Sequence, residues 1–287
     1  MTNVNYKELK KNGFMQQIQT DNFSMRLKSV GGHLTAAQLQ TIQEVAEKYG
    51  NGTVHLTSRQ GVEIPFIKLA DIETVIDYLH KNDMEVGACG PRVRTITACH
   101  GNSICRCGLI NTAEVAQELD IRYGGKELPH KFKMGVTGCP NNCLKAEQND
   151  IGIKGALKPL WLEDKCCFCG LCAAACPGKA ITVDKSAKTL TLDEEKCINC
   201  GKCNKVCPTS AWTGEQGFLL SFGGLYGNRI TVGKHLLPII LSQEILYKAV
   251  DTALNFFAKN ANKGERFANT LNRVGWEKLE KDLQQIL

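Results

Sequence analysis

The spacing of apolar and polar positions changes several times in the first ninety residues. Residues 25–30 alternate as a strand does and run into Gly31-Gly32. Thr35 has the chemistry of an N-cap for a helix that continues through Tyr49, and Gly50 supplies the stop. Residues 54–58 and 62–67 read as the two arms of a hairpin. From 71 to 81 the apolar residues Ile72, Val75, Ile76 and Leu79 recur at the helical period. This β-α-β-β-α order is that of a ferredoxin-like α+β unit.

A second series starts near Arg92. Residues 92–97 predict a strand that leads into a cysteine segment, and 112–119 predict a helix. Residues 131–136 form another strand leading into further cysteines, and 151–157 a third. Between 160 and 213 the texture changes to short elements, small residues and dense cysteine. Residues 217–225 then resume as a strand with a Gly-rich turn, and 242–259 read as a long amphipathic helix followed by shorter ones. The middle block therefore reads as an insertion that splits one parent domain. The expected units are 1–90, a second domain made of 91–158 and 214–287, and the insert 159–213.

Composition narrows the function classes. The chain has 287 residues, 43% hydrophobic, enough for a sizeable buried core. Its net charge of +6 comes from lysines and arginines spread along the sequence rather than clustered, which argues against nucleic acid and leaves an anionic ligand open. The first fourteen residues lack the apolar core of a signal peptide. The apolar run at 236–241 is broken by Pro238 and too short to span a bilayer. A cytoplasmic protein without a membrane partner is expected, and there dense cysteine implies metal rather than disulfide.

Twelve of the fifteen cysteines fall into three sets. Residues 165–181 (KCCFCGLCAAACPGKAI) and 196–212 (KCINCGKCNKVCPTSAW) repeat with a period of 31, and each is C-x2-C-x2-C-x3-C-P. In this bacterial ferredoxin spacing three close cysteines wrap one 4Fe-4S cluster, and the fourth ligates the other cluster. One cluster then takes Cys166, Cys169, Cys172 and Cys207, and the other Cys197, Cys200, Cys203 and Cys176. Cys167 falls outside the register. The third set is Cys99, Cys105, Cys139 and Cys143, spaced C-x5-C and C-x3-C. Spacing alone leaves this set open between a further cluster, a structural zinc and free thiols. Cys89 and Cys107 read as small buried residues.

The third set resembles the siroheme-adjacent 4Fe-4S motif of the sulfite and nitrite reductases. Further segments carry the same resemblance: Thr57-Ser58-Arg59-Gln60, Arg92-Val93-Arg94-Thr95 before the first cysteine, Leu128-Pro129-His130-Lys131-Phe132-Lys133 before the second pair, and Glu265-Arg266-Phe267 through Val274-Gly275. With its inserted block the chain is most similar to the C subunit of anaerobic sulfite reductases. The resemblance implies an α+β, ferredoxin-like siroheme-binding domain with an inserted ferredoxin domain of two 4Fe-4S clusters. It further implies a third 4Fe-4S cluster sharing the Cys143 thiolate with siroheme iron.

Siroheme carries eight carboxylates, so the resemblance gives the modest positive charge a use. Arg59, Arg94, Lys131 and Lys133 are implied to ring a small oxyanion, arginines orienting it and lysines donating protons. Lys131 and Lys133 lie two apart on a predicted strand and so face one side, as do Arg92 and Arg94. Arg92, Gln60, Asn102, Asn141, Asn142, Arg229 and Lys234 are further expected siroheme contacts. The implied reaction is six-electron reduction of sulfite to sulfide, with nitrite to ammonia the alternative. Lys133 favours sulfite, because nitrite-specific relatives tend to carry asparagine there. A non-catalytic polyferredoxin is the reading from a different class; such a carrier needs none of the four cations. No nucleotide-binding fingerprint is present, so the electron donor is expected to be a ferredoxin or flavoprotein and iron–sulfur partner subunits. The larger relatives place the site between two such halves, so a homodimer or higher oligomer is expected to complete it.

Overall fold

Two four-stranded sheets organise the chain, each with its own buried core. The structure is a computed structural model that describes residues 4–287. It opens with a short helix, α1 (Tyr6–Lys11), and the strands β1 (Phe14–Gln16) and β2 (Asn22–Arg26). Helix α2 (Ala36–Lys48), strands β3 (His55–Leu56) and β4 (Val62–Lys68) and helix α3 (Ile72–Lys81) follow. The first sheet is antiparallel in the order β1-β2-β4-β3. Thr35 does cap α2, in a reciprocal capping box with Gln38. Ile72, Val75 and Leu79 of α3 are buried with Phe23, Met25, Ile64 and Ile67 of the strands, so the helical and alternating periods meet in one core.

The second sheet holds β5 (Thr97–Ala98), β6 (Met134–Thr137), β7 (Ile151–Trp161) and β10 (Trp212–Phe222) in the order β10-β7-β6-β5. The three strands β5, β6 and β7 are parallel, and β10 runs antiparallel to β7 over its full length. Helices α4 (Thr112–Tyr123), α7 (Gln243–Asn260), α8 (Phe267–Val274) and α9 (Trp276–Gln284) cover it. Phe132, Phe257 and Phe267 pack ring to ring in this core. Residues 162–211 leave the sheet at the end of β7 and return on β10. Between them lie α5 (Leu171–Ala175), the hairpin β8 (Ile181–Asp184) and β9 (Thr189–Leu192), and α6 (Lys202–Val206). This unit has a small core of its own around Trp212, Ile181 and Leu190. A further hairpin, β11 (Leu225–Tyr226) and β12 (Ile230–Thr231), follows β10.

The structure corrects several expected strands. The strand expected at 25–30 ends at Arg26, and residues 30–32 form a 3-10 turn in which Gly31 takes φ 63° and donates to Ile96 O at 2.8 Å. An alternating pattern survives there because Leu27 still makes a single bridge to Val86. The strand expected at 92–97 shrinks to Thr97–Ala98, and Arg92 and Val93 make isolated bridges to Glu127 and Phe132. Likewise regular pairing in β6 begins at Met134, just after the two lysines. The first arm of the expected hairpin keeps two paired residues, His55 and Leu56, because a turn at 57–60 claims the rest.

Candidate active site

The ends of the two sheets meet at a cavity of about 250 Å³ whose lining includes Arg26, Ser58, Arg59, Arg94, Lys131 and Lys133. All four cations expected at the substrate site therefore share one space. Lys131 and Lys133 reach it together because Phe132 between them is fully buried in the core. Arg59 stands on the 57–60 turn, where Gln60 has φ 58° and donates to Thr57 O. Its guanidinium donates to Asn149 Oδ1 at 2.7 Å and Thr95 O at 3.2 Å. Below the lysines, Asp150 is completely buried; it accepts from Lys133 N at 2.8 Å and from Arg266 Nη2 at 3.1 Å.

So much positive charge in one place shifts its members. Burial pulls Lys133 down to about 8, with Arg59, Arg266 and Lys131 adding repulsion. Lys131 is lowered for the same reasons, burial first and then Arg266 and Arg94. Burial also lowers Arg59, to about 10. Asp150 is the local anion, and burial still raises its pKa despite Arg266. Buried Nε atoms of Arg92, Arg94 and Arg266 have no hydrogen-bond partner. Of these only Arg94 lines the cavity, and guanidinium groups there are what an anionic ligand pairs with.

Arg92 parts from Arg94. It pairs with Glu127 at 3.3 Å and lines a neighbouring cavity that shares Ala88 and Thr95 with the first. Sequence reading missed Arg26, Arg266 and Asp150. Arg26 is paired with Glu63 and donates to Cys89 Sγ at 3.4 Å. The two partners Arg266 and Asp150 lie 116 residues apart, so no local signal joined them.

The third cysteine set gathers at the other end of β6. Cys99 Sγ accepts from Gly138 N at 3.1 Å, which ties the first pair to the second. Burial pushes the Cys139 thiol up, and the neighbouring thiols of Cys107, Cys105 and Cys143 add to this. Cys105 and Cys143 are exposed. Asn142, between the two cysteines of its pair, has φ 52°, accepts from Ala146 N at 2.8 Å and donates to Glu147 Oε2 at 3.0 Å. Residues 89–287 match the family described as "Nitrite and sulphite reductase 4Fe-4S domain", and 15–82 match its "ferredoxin-like half domain". The chain belongs to the nitrite and sulphite reductase 4Fe-4S domain family.

Relatives within that family are of several lengths. A coenzyme F420-dependent sulfite reductase of Methanocaldococcus jannaschii is 35% identical over 90% of this chain and 41% of the relative. An uncharacterized protein of the same organism is 30% identical over 94% of both. The C subunit of the anaerobic sulfite reductase of Salmonella typhimurium is 35% identical over 53% of this chain and 48% of its own. The chain thus spans about half or less of the two named relatives. Among solved structures, dissimilatory sulfite reductase I shares the fold with a TM-score of 0.75 at 21% identity, covering 92% of this chain and 69% of that one. The Mycobacterium tuberculosis NirA protein shares it with a TM-score of 0.67 at 16% identity, covering 98% and 47%.

The eight cysteines of the two repeat sets gather in the unit that leaves the sheet. Cys166, Cys169, Cys172 and Cys207 line one small cavity with Trp212. Cys197 is half-buried near Cys200 and Cys176, and burial, then these two thiols, push it up. The distant fourth cysteine of each repeat is thus beside the opposite triplet. Ala180 N donates to Cys176 Sγ at 3.3 Å and Ala211 N to Cys207 Sγ at 3.2 Å, the same bond one repeat apart. Among the described residues no three His, Cys, Asp or Glu side chains converge as a single metal ion requires. Four thiols in each set are the donor chemistry that a 4Fe-4S cluster takes.

The remaining expected siroheme contacts divide. Gln60 spends both ends of its amide on Ala98, donating to its O at 2.8 Å and accepting from its N at 3.0 Å, so it joins the two sheets. Asn102 and Asn141 are exposed near the third set. Lys234 lies over the Trp276 ring at 4.5 Å, and Arg229 sits exposed in the β11–β12 hairpin.

Proposed function

We propose that this chain is a siroheme- and 4Fe-4S-dependent sulfite reductase. The observation that carries the reading is the cationic cavity, where Arg26, Arg59, Arg94, Lys131 and Lys133 meet and the Nε of Arg94 has no partner. An electron carrier gains nothing from concentrating these cations. In this reading Cys99, Cys105, Cys139 and Cys143 would hold one cluster, Cys143 would also be the residue that holds siroheme, and the two repeat sets would hold two more clusters. Siroheme, when bound, supplies an iron for the substrate and a route for electrons.

The protein's own residues handle charge and protons. Arg59, fixed by Asn149 and Thr95, and Arg94 present rigid N–H forks to an oxyanion. Lys133, near 8, holds a proton at neutral pH yet releases it readily, which suits a donor. Bisulfite takes up six electrons and six protons to give hydrosulfide and three waters. Each oxygen lost as water takes up two protons, where Lys131 and Lys133 stand to supply them. Lys133 also supports sulfite over nitrite as the preferred substrate.

Electrons come from a ferredoxin or from flavoprotein and iron–sulfur partner subunits. No cysteine of the third set lines the cationic cavity, which supports a homodimer in which one copy's cations serve the partner's siroheme. Among the described residues no helix is long and apolar enough to cross a membrane. The test is the anaerobically purified chain, its absorption spectrum, and turnover of sulfite and nitrite with one reduced dye. A siroheme band with sulfide formation is expected. Cluster absorption alone, with neither product, would leave the carrier reading standing.

A further inference from the structure

The turn that carries Cys139 and Cys143 is tied to the rest of its domain through one acidic side chain. Asn142 sits in the left-handed region, and both ends of its amide are engaged, Oδ1 by Ala146 N and Nδ2 by Glu147 Oε2 at 3.0 Å. Its carbonyl accepts from Lys145 N at 2.8 Å, so the chain from 142 to 147 closes on itself. Glu147 is where this loop is held from outside. Its carboxylate pairs with Lys154 Nζ of β7 and lies 3.3 Å from His235 Nε2. Its carbonyl accepts from Gly233 N at 2.8 Å. His235 is itself held through Nδ1, 2.6 Å from Leu220 O of β10. The cover is tight, since a Cβ at Gly224 would collide with the carbonyls of Glu147 and Asn149.

The Glu147–Lys154 pair is also poorly screened. Its side chains are 21% and 11% exposed. His100, Arg106 and Lys145, the basic side chains within two residues of the four cysteines in sequence, are all exposed, so water screens them far more. The Glu147 carboxylate is thus a fixed charge one side chain away from the residue that precedes Cys143. Reduction of a group held by these thiols adds negative charge, and a fixed negative charge beside it opposes that step.

We propose that Glu147 is the positioning residue of the third cysteine set: it clamps the 139–147 turn through Asn142, and its charge lowers the reduction potential of the cluster those cysteines would hold. The proposal rests on the redox reading given above. Lys154 acts in the opposite sense from the other side of the carboxylate, so the potential is set by the balance of the two charges. His235, which touches the same carboxylate oxygen, holds Glu147 to the segment after the β11–β12 hairpin.

The readout is a potentiometric titration of the intact, cofactor-loaded chain at one pH, followed through the absorption and EPR signals of each cluster. Glu147→Gln keeps an oxygen for Asn142 and removes the charge. It is expected to favour reduction of the third-set cluster by about threefold or more, an upward shift of about 28 mV for one electron. Lys154→Gln is expected to shift the same potential down by a similar factor, and the two repeat clusters are expected to stay where they are in both variants. A residue that only supports the fold does not give shifts of opposite sign. Absorption per chain checks that each variant keeps its cofactors; should Lys154→Gln fail to load them, the sign and size of the Glu147→Gln shift decide alone. The proposal is overturned if Glu147→Gln leaves the potential unchanged or lowers it, or if both substitutions move it the same way. A wild-type chain that holds the repeat clusters but no third one would overturn the redox reading, and this proposal with it. An unmoved potential in Glu147→Gln beside an intact wild-type spectrum would overturn this proposal only.

Discussion

The cysteine-rich unit at 162–211 and the cationic cavity are built on opposite principles. In the unit, the cysteines of each triplet lie three residues apart, and local turns bring them together; the N–H···S bonds at Ala180 and Ala211 repeat with the sequence. The cavity draws Arg26, Arg59, Arg94 and Lys133 from separate segments, and they repel one another. What holds them is a set of fixed acceptors: Glu63 for Arg26, Asn149 for Arg59, Asp150 for Arg266 and the Lys133 backbone. A local site tolerates change elsewhere in the chain. An assembled one fails when its scaffold moves.

The largest test of that contrast is Cys143→Ala. The substitution is expected to abolish the siroheme band and all sulfite turnover while the absorption of the clusters at 162–211 persists. Loss of every chromophore at once would mean that the two regions do not assemble independently. Next, Arg59→Ala is expected to lower kcat/KM for sulfite by about 10²–10³-fold, the scale of removing one preorganised charge donor. A drop under threefold would remove Arg59 from the substrate shell.

Asp150→Asn tests the scaffold rather than the chemistry. It leaves Arg266, only 12% exposed, without its counter-charge. A loss of about 3–5 kcal/mol in denaturant unfolding is expected, as when one partner of a buried pair is removed. Stability within experimental error of wild type would show that the cavity does not depend on this anchor.

The pH profile gives a smaller effect. Lys133 is protonated below about 8, so the activity it supports is present at neutral pH and falls, approaching tenfold per unit, as pH rises past that value. Lys133→Arg should remove that limb; an unaltered limb would assign it to another group. Smallest is the substrate ratio, where Lys133→Asn is expected to move preference toward nitrite. If kcat/KM for both substrates fell equally, Lys133 would not be the selector.

Helices were legible because their signals are local. Thr35 caps α2 as its position indicates, and the apolar spacing of Ile72, Val75 and Leu79 fixes the buried face of α3. Strands were less so. Residues 92–97 have a strand's alternation, but pairing at Arg92 and Val93 is limited to single bridges because Glu127 and Phe132 lie on different neighbouring segments. Arg92 and Arg94 share a side of the extended chain yet enter adjoining cavities, a separation set by Glu127.

The sequence by itself determined the spacing of the three cysteine sets, the helices α2, α3, α4 and α7 and the residues that carry charge. Ligand spacing, caps and helical period act over a few residues, so chain chemistry decides them. Only the tertiary structure decided that Lys131, Lys133, Arg59 and Arg94 share a cavity with Arg26, and that Asp150 and Arg266 stand beneath it. Like charges do not gather by local preference, and the buried carboxylate, the amide of Asn149 and the two packed sheets that hold them come from distant parts of the chain.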